Sequence, residues 1–371
     1  MIDPGMIPTL DPNPLPAPYW VFKLLLVATF TLHIMAMNLM LGGAAMALLA
    51  RGRKGNAFGN RMFLDVAKKV PSLMAATISL GIAPLLFVQV LYGQYFYTSS
   101  ILIAWPWFLV IVLVIAAYYG FYFVAYRGTH RPVAAGRAML FSTTLVLLVG
   151  FIYTNNITLG LVPARWAHKY LNSASGWHLN LTEPTLFPRY LHFMTSAVAV
   201  GGLLLVLMAW AKWKQEREYA LALFQFGGKA FMYANMAQIV IGMAFLMSLP
   251  REERMLFMGD SPLASALLGI GMVGAFAIIF LMSVALRKED IRLAGLGVTG
   301  ITAVVIATMC VMRDMVRDAY LKPYLNAQPF AVQTQWSPLL LFLGVFVAGV
   351  ALWAVMLWRY GFFTKTGAAG E

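Results

Sequence analysis

Residues 188–212 read PRYLHFMTSAVAVGGLLLVLMAWAK. Between Arg189 and Lys212 the run holds no formal charge, and its one imidazole, His192, lies a single turn inside the start. About 20 apolar residues in helical conformation cross roughly 30 Å of hydrocarbon. The stretch therefore reads as a membrane-spanning helix with a histidine just inside its mouth.

Working outward, runs of the same kind lie near residues 20–50, 70–94, 101–126, 138–162, 188–212, 227–249, 262–286, 293–316 and 336–360. The 371-residue chain is 61% hydrophobic and 11% charged, with a mean hydropathy of +0.76. A water-soluble domain of this length could not carry that composition on its surface. The expected fold is all-α, a polytopic membrane bundle of nine transmembrane helices. Its parts are a proline-rich outer lead (1–19), a membrane domain (20–360) and an inner tail (361–371). The lead, MIDPGMIPTLDPNPLPAP, holds too much proline for a helix and is expected along the outer surface. No cleavable signal peptide is expected, so the first helix serves as its own insertion signal. A single cysteine, Cys310, rules out an internal disulfide. No internal repeat, low-complexity linker or soluble domain interrupts the pattern.

The formal charge of +13 would suggest nucleic acid in a soluble protein, but here it sorts by side of the membrane. Connections 51–69, 127–137, 212–229 and 287–292, with the tail after 358, hold 18 Lys and Arg. Connections 163–189, 250–261 and 313–335 hold eight. By the positive-inside rule the N-terminus is expected outside and the C-terminus inside, as an odd number of spans requires. The basic excess is thus a topology signal. Lipid is the expected partner and nucleic acid is not.

Only five histidines are present. His130 falls in an inner connection, and His168 and His178 fall in an outer one, where solvated roles are the default. His33 and His192 fall inside apolar runs, where an ionisable side chain is costly and marks a candidate site. One such histidine can be explained equally by a hydrogen bond to a neighbouring helix or by a ligand role. Two in one bundle favour a ligand. Zinc or a di-iron centre wants clustered carboxylates and histidines, which these runs lack. Haem suits them better, because a porphyrin is large and apolar, needs one or two axial ligands, and accepts His alone or His with Met. Its propionates need cations near the membrane surface. Arg189 lies three residues before His192 on the same helical face. Met272, in LLGIGMVGAF, stands about ten residues from the outer end of its run and is the candidate opposing ligand. With 23 methionines in the chain, core filling is the alternative. Gly269, Gly271 and Gly274 around it would let a flat macrocycle approach the backbone.

Four stretches together resemble subunit I of the cytochrome bd-type oxidases, along nearly the whole chain. FTLHIMAMNLMLGGAAMALLA (30–50) is similar to that family's first helix and LGIAPLLFVQVLYGQYF (80–96) to its second. PRYLHFMTSAVAVGG (188–202) resembles its fifth helix and GIGMVGAF (269–276) its seventh. The resemblance implies nine helices with the N-terminus outside. It also implies His192 and Met272 as the axial pair of a low-spin b haem, and His33 as a ligand at a high-spin haem site.

The chain departs from the family where carboxylates are expected. Gln89 stands for one glutamate and Val114 for a second, while the third falls in ATMCVMRDMVRDAYL (307–321), where Met312 or Arg313 takes its place. The outer loop between the sixth and seventh helices is short, LPREERMLFMGDSPL (249–263). The resemblance then implies a b-haem subunit of a respiratory electron-transfer complex in a bacterial-type cytoplasmic membrane. It would hold one or two haems b and pass electrons between the quinone pool and periplasmic cytochromes c or partner membrane subunits. A catalytic quinol oxidase subunit is the alternative, with quinone as a further ligand in either case.

Overall fold

The computed structural model describes residues 14–52, 57–325 and 331–356. The first part of the expected lead (1–13) and the expected inner tail (361–371) lie outside the described residues. Among the described residues there is no strand, and nine helices are long and apolar enough to cross a membrane. The chain is a multi-pass membrane protein of all-α architecture.

The spanning helices are α1 (Tyr19–Arg51), α3 (Val70–Leu102), α4 (Ala104–Arg127), α5 (Pro132–Gly160), α7 (Leu186–Lys212), α8 (Arg217–Ser248), α10 (Pro262–Lys288), α11 (Thr299–Leu321) and α12 (Trp336–Met356). Three short helices lie in connections: α2 (Ala57–Ala67), α6 (Trp166–Asn172) and α9 (Arg251–Met255). Each expected run falls on a helix, with 357–360 of the last run lying outside the described residues. Several ends run further than hydropathy alone suggests, because helical hydrogen bonding continues through polar residues once a turn is nucleated. The largest differences are α8, which begins at Arg217 rather than near 227, and α3, which runs on to Leu102 rather than 94.

Local chemistry sets several ends. Ser261 caps α10, its hydroxyl oxygen accepting from the Ala264 N–H at 3.3 Å, with Pro262 in the first turn. α3 leaves helical geometry at Tyr92 (φ −138°, ψ 26°), beside Gly93, and Pro84 removes one ladder donor a little earlier. Of the expected lead, Leu15 and Pro16 pair with the segment before α12. Leu15 N–H donates to the Ala331 carbonyl at 2.7 Å, and Gln335 N–H donates to the Pro16 carbonyl at 2.8 Å.

α1 and α7 form the centre of the bundle. They cross at Gly42 and Gly201, where a Cβ on Gly42 would stand 1.9 Å from the Ala197 carbonyl oxygen. Only the absence of both side chains lets the backbones approach this closely, the usual device where lipid offers no hydrophobic drive for association. α8 lies on the far side of α7, and α3 and α11 lie against α1. α12 is nearly detached. It meets the bundle through Leu339, Phe342 and Phe346, with the Phe342 ring 5.5 Å from that of Phe87.

The buried apolar residues form two clusters. One gathers the halves of the helices around Met46, Phe63, Phe121, Leu204 and Phe224. The other gathers the opposite halves around Leu26, Leu91, Ile103, Leu159 and Leu321. Both candidate histidines, His33 and His192, belong to neither cluster.

Candidate cofactor cavities

Two cavities open in the bundle, the first between the two apolar clusters and the second within the second cluster. The first, about 190 Å³, is enclosed by α1, α7, α8, α10 and α11. His192, Met272 and Arg189 all line it, together with Ser196, Gln238, Gly242 and Cys310. The second, about 150 Å³, lies among α1, α3, α5 and α11, and its lining includes His33, Gly81, Pro84, Tyr92, Asn156, Arg313 and Arg317. The histidines thus stand in separate cavities. Each nonetheless has Phe30, Arg189 and Arg313 in its wall.

Each ring is held by its helix neighbours. His33 Nδ1 lies 3.0 Å from the Thr77 carbonyl oxygen. A carbonyl can only accept, so Nδ1 carries the proton and Nε2 keeps its lone pair, the arrangement seen in metal-ligating histidines. The ring rests on Gly81, where a Cβ would stand 2.9 Å from its Cε1. On the other side, His192 turns Cε1 and Nδ1 toward Gly242, where a Cβ would stand 3.1 Å from Cε1. Its Nδ1 is buried with no hydrogen-bond partner, and its backbone carbonyl accepts from Gln238 Nε2 at 3.0 Å. Gly81 and Gly242 were missed in the sequence, where a single glycine in an apolar run carries no sign of which ring rests on it.

Of the glycines around Met272, Gly271 lines the first cavity with it, and Gly269 and Gly274 do not. A Cβ on Gly274 would stand 2.5 Å from Val305 Cγ2, and one on Gly271 2.8 Å from Met309 Cε. Gly271 and Gly274 both admit side chains of α11 and so set helix packing as well. Gly269 is exposed, with nothing within 4 Å of its would-be Cβ.

The charges bring a second correction. Arg317 and Asp318, beyond the expected run 293–316, are not loop residues. They continue α11 into the bundle. Lys23, from the first turns of α1, pairs with Asp314 and, at 2.7 Å, with Asp318. Arg317 pairs with Asp314 as well, and the Tyr92 hydroxyl donates to Asp318 at 2.5 Å. Carboxylates therefore do stand beside the second cavity, two and six positions beyond Met312. Gln89 lines neither cavity; Val88 and Tyr92 face the second one from the same helix. A mixed run such as MRDMVRDAY reads as a helix end in hydropathy, because burial of its charges depends on partners supplied by α1 and α3.

The residues present suit a haem in three respects. The cavities are lined mostly by apolar side chains, and each offers an imidazole held by a neighbouring helix. Arg189, 3% exposed, has Nε and Nη2 without hydrogen-bond partners, and Arg313 Nε is likewise unpartnered. The guanidiniums lie instead over rings, Arg189 at 4.9 Å from the Phe245 centroid and Arg313 at 4.1 Å from that of Phe30. Among the described residues no three His, Cys, Asp or Glu converge to hold a bare metal ion. His168 shares a hydrogen bond with Asn172, and His178 reaches the Ser173 carbonyl, both at the exposed surface. The chain matches no protein-family model and no curated protein sequence.

Proposed function

We propose that this chain is the b-haem-binding subunit of a membrane electron-transfer complex, passing electrons between the quinone pool and periplasmic cytochromes c or partner subunits. One observation carries the reading: His192, Met272 and Arg189, from α7 and α10, line a single apolar cavity, with His33 in the cavity beside it. Haem bound there supplies a one-electron iron couple whose potential is set by its axial ligands and surroundings. His192 and Met272 would ligate its iron in the first cavity, and Arg189 would hold a carboxylate side arm. His33, its tautomer set by Thr77, would ligate a second haem. The apolar walls keep water from the centres, and a dry surrounding lowers the reorganisation that accompanies electron transfer.

The same reading places the chain in a bacterial-type cytoplasmic membrane with its C-terminus inside. The burial of Arg189, Arg313 and Arg317 in the bundle supports this orientation, since it removes three cations from the outer connections and sharpens the charge asymmetry.

A second reading, a quinol oxidase reducing oxygen, draws support from the Lys23, Tyr92, Asp314 and Asp318 cluster beside the His33 cavity, which offers groups able to exchange protons. The two readings part on carbon monoxide, which shifts the spectrum of an open high-spin site and leaves a six-coordinate carrier unchanged.

The test is a reduced-minus-oxidised spectrum with haem quantified per chain. His192→Ala should remove a low-spin haem, and Met272→Leu should retain it with an altered potential, because thioether ligation raises potential. An unchanged spectrum in His192→Ala would overturn the assignment.

A further inference from the structure

Arg189 and Arg313 belong to the walls of both cavities, and they are the cations there that lack a carboxylate. Among the described residues neither forms an ion pair within 4.0 Å. Asp314 and Asp318 are engaged by Lys23 and Arg317, and Glu183 is held by Arg165 at 2.9 Å. A guanidinium inside an apolar bundle with no anion is costly, and such groups are retained where a ligand completes them. The cation–π contact of Arg313 with Phe30 repays only part of that cost. Phe30 also faces both cavities, so the partition between them is one layer of side chains thick.

We infer that Arg189 and Arg313 form a shared anion-binding partition, receiving carboxylate side arms of the cofactors in both cavities and coupling their potentials. This rests on the haem reading above. A positive charge lying between two centres favours the reduced form of each, since reduction adds an electron to either side of it. Electrons arriving at one centre then alter the affinity of the other through the same two residues. The partition thereby sets the potential step between the cofactors as well as holding them.

The experiment is spectroscopic redox titration of the purified, haem-loaded complex, each centre followed by its own absorption band, with haem counted per chain. In Arg313→Gln both midpoints should fall, each by about a tenfold shift in the reduction equilibrium, which is about 59 mV for one electron. Arg313→Lys should restore most of both shifts, which a merely structural role would not require. If Arg313→Gln does not assemble, Arg189→Gln is read in the same way. Two haems per chain with only one midpoint moving, or neither, would overturn the shared partition and leave the haem reading standing. A single haem per chain would also overturn it, and no haem at all would remove the haem reading itself.

Discussion

His33 on α1 and Thr77 on α3 are joined by a 3.0 Å hydrogen bond from the imidazole Nδ1–H to the backbone carbonyl. The Thr77 hydroxyl does not compete for the ring, since it donates to the Leu73 carbonyl within its own helix at 2.8 Å. One contact between two central helices thus sets the tautomer of a histidine that faces a cavity. Because the acceptor is main chain, substitution at position 77 leaves the tautomer intact, while any shift of α3 against α1 does not.

That geometry makes Gly81→Ala informative. The added Cβ would stand 2.9 Å from Cε1 and 3.0 Å from Nδ1 of a rigid ring, so His33 must move. The expected cost is about 1–3 kcal/mol of stability. On the proposed haem reading, the spectrum assigned to the second cavity should change while that assigned to the first stays constant. Equal perturbation of both, measured by low-temperature optical spectra, would disprove the local effect.

Glycines that look alike in sequence should respond very differently. Gly42→Ala drives a methyl group to 1.9 Å from the Ala197 carbonyl oxygen at the α1–α7 crossing. It should lower the melting temperature in detergent sharply and reduce the monodisperse fraction, by about 3 kcal/mol or more. Gly269→Ala meets nothing within 4 Å and should be neutral or stabilising by roughly 0.5–1 kcal/mol through helix propensity. Comparable losses for the two variants would contradict the observed crossing.

Lys23 is the counter-ion of a carboxylate pair, with side-chain exposures of 17% for the lysine, 10% for Asp314 and 40% for Asp318. Lys23→Met leaves both acids without it and should destabilise by about 2 kcal/mol or more, below the full penalty for a wholly buried pair because Asp318 is partly solvated. Adding Asp318→Asn should recover part of the loss. A double-mutant cycle by thermal denaturation measures the coupling, and strictly additive losses would rule it out.

At the opposite end of the bundle, in the connection between α7 and α8, Glu216 accepts from Lys212 at 2.9 Å and pairs with Arg61. The Lys212 hydrogen bond, with that from Arg61, holds its carboxyl below the usual range despite partial burial. A depressed carboxylate stabilises above its unfolded-state pKa, and that contribution is lost as pH falls through the lower folded-state value. Melting temperature should therefore decline on the acid side of about pH 4.5. Glu216→Gln should flatten that limb and lose the same modest contribution at neutral pH, since the pair is half-buried and partly screened. An unaltered acid limb in the variant would assign the decline elsewhere.

Which segments cross the membrane was legible in the sequence, because a helix in hydrocarbon must satisfy its backbone internally and clothe itself in apolar side chains. Each run announces itself without reference to any other. His33 and His192 were legible for the related reason that an imidazole is conspicuous in such a run. Tertiary structure alone decided that they occupy separate cavities with a common wall, and that Met272 shares the cavity of His192. It decided that Gly271 and Gly274 admit α11, and that Gly81 and Gly242 support the two rings. It also drew Arg317 from a presumed loop into the bundle, where Asp314 pairs with it, and set Arg313 over the Phe30 ring. Hydropathy adds over neighbours in sequence, whereas the burial of a charge depends on what faces it across helices hundreds of residues apart, such as Lys23 against Asp318. No local pattern encodes that pairing; the packing of α1 against α11 creates it.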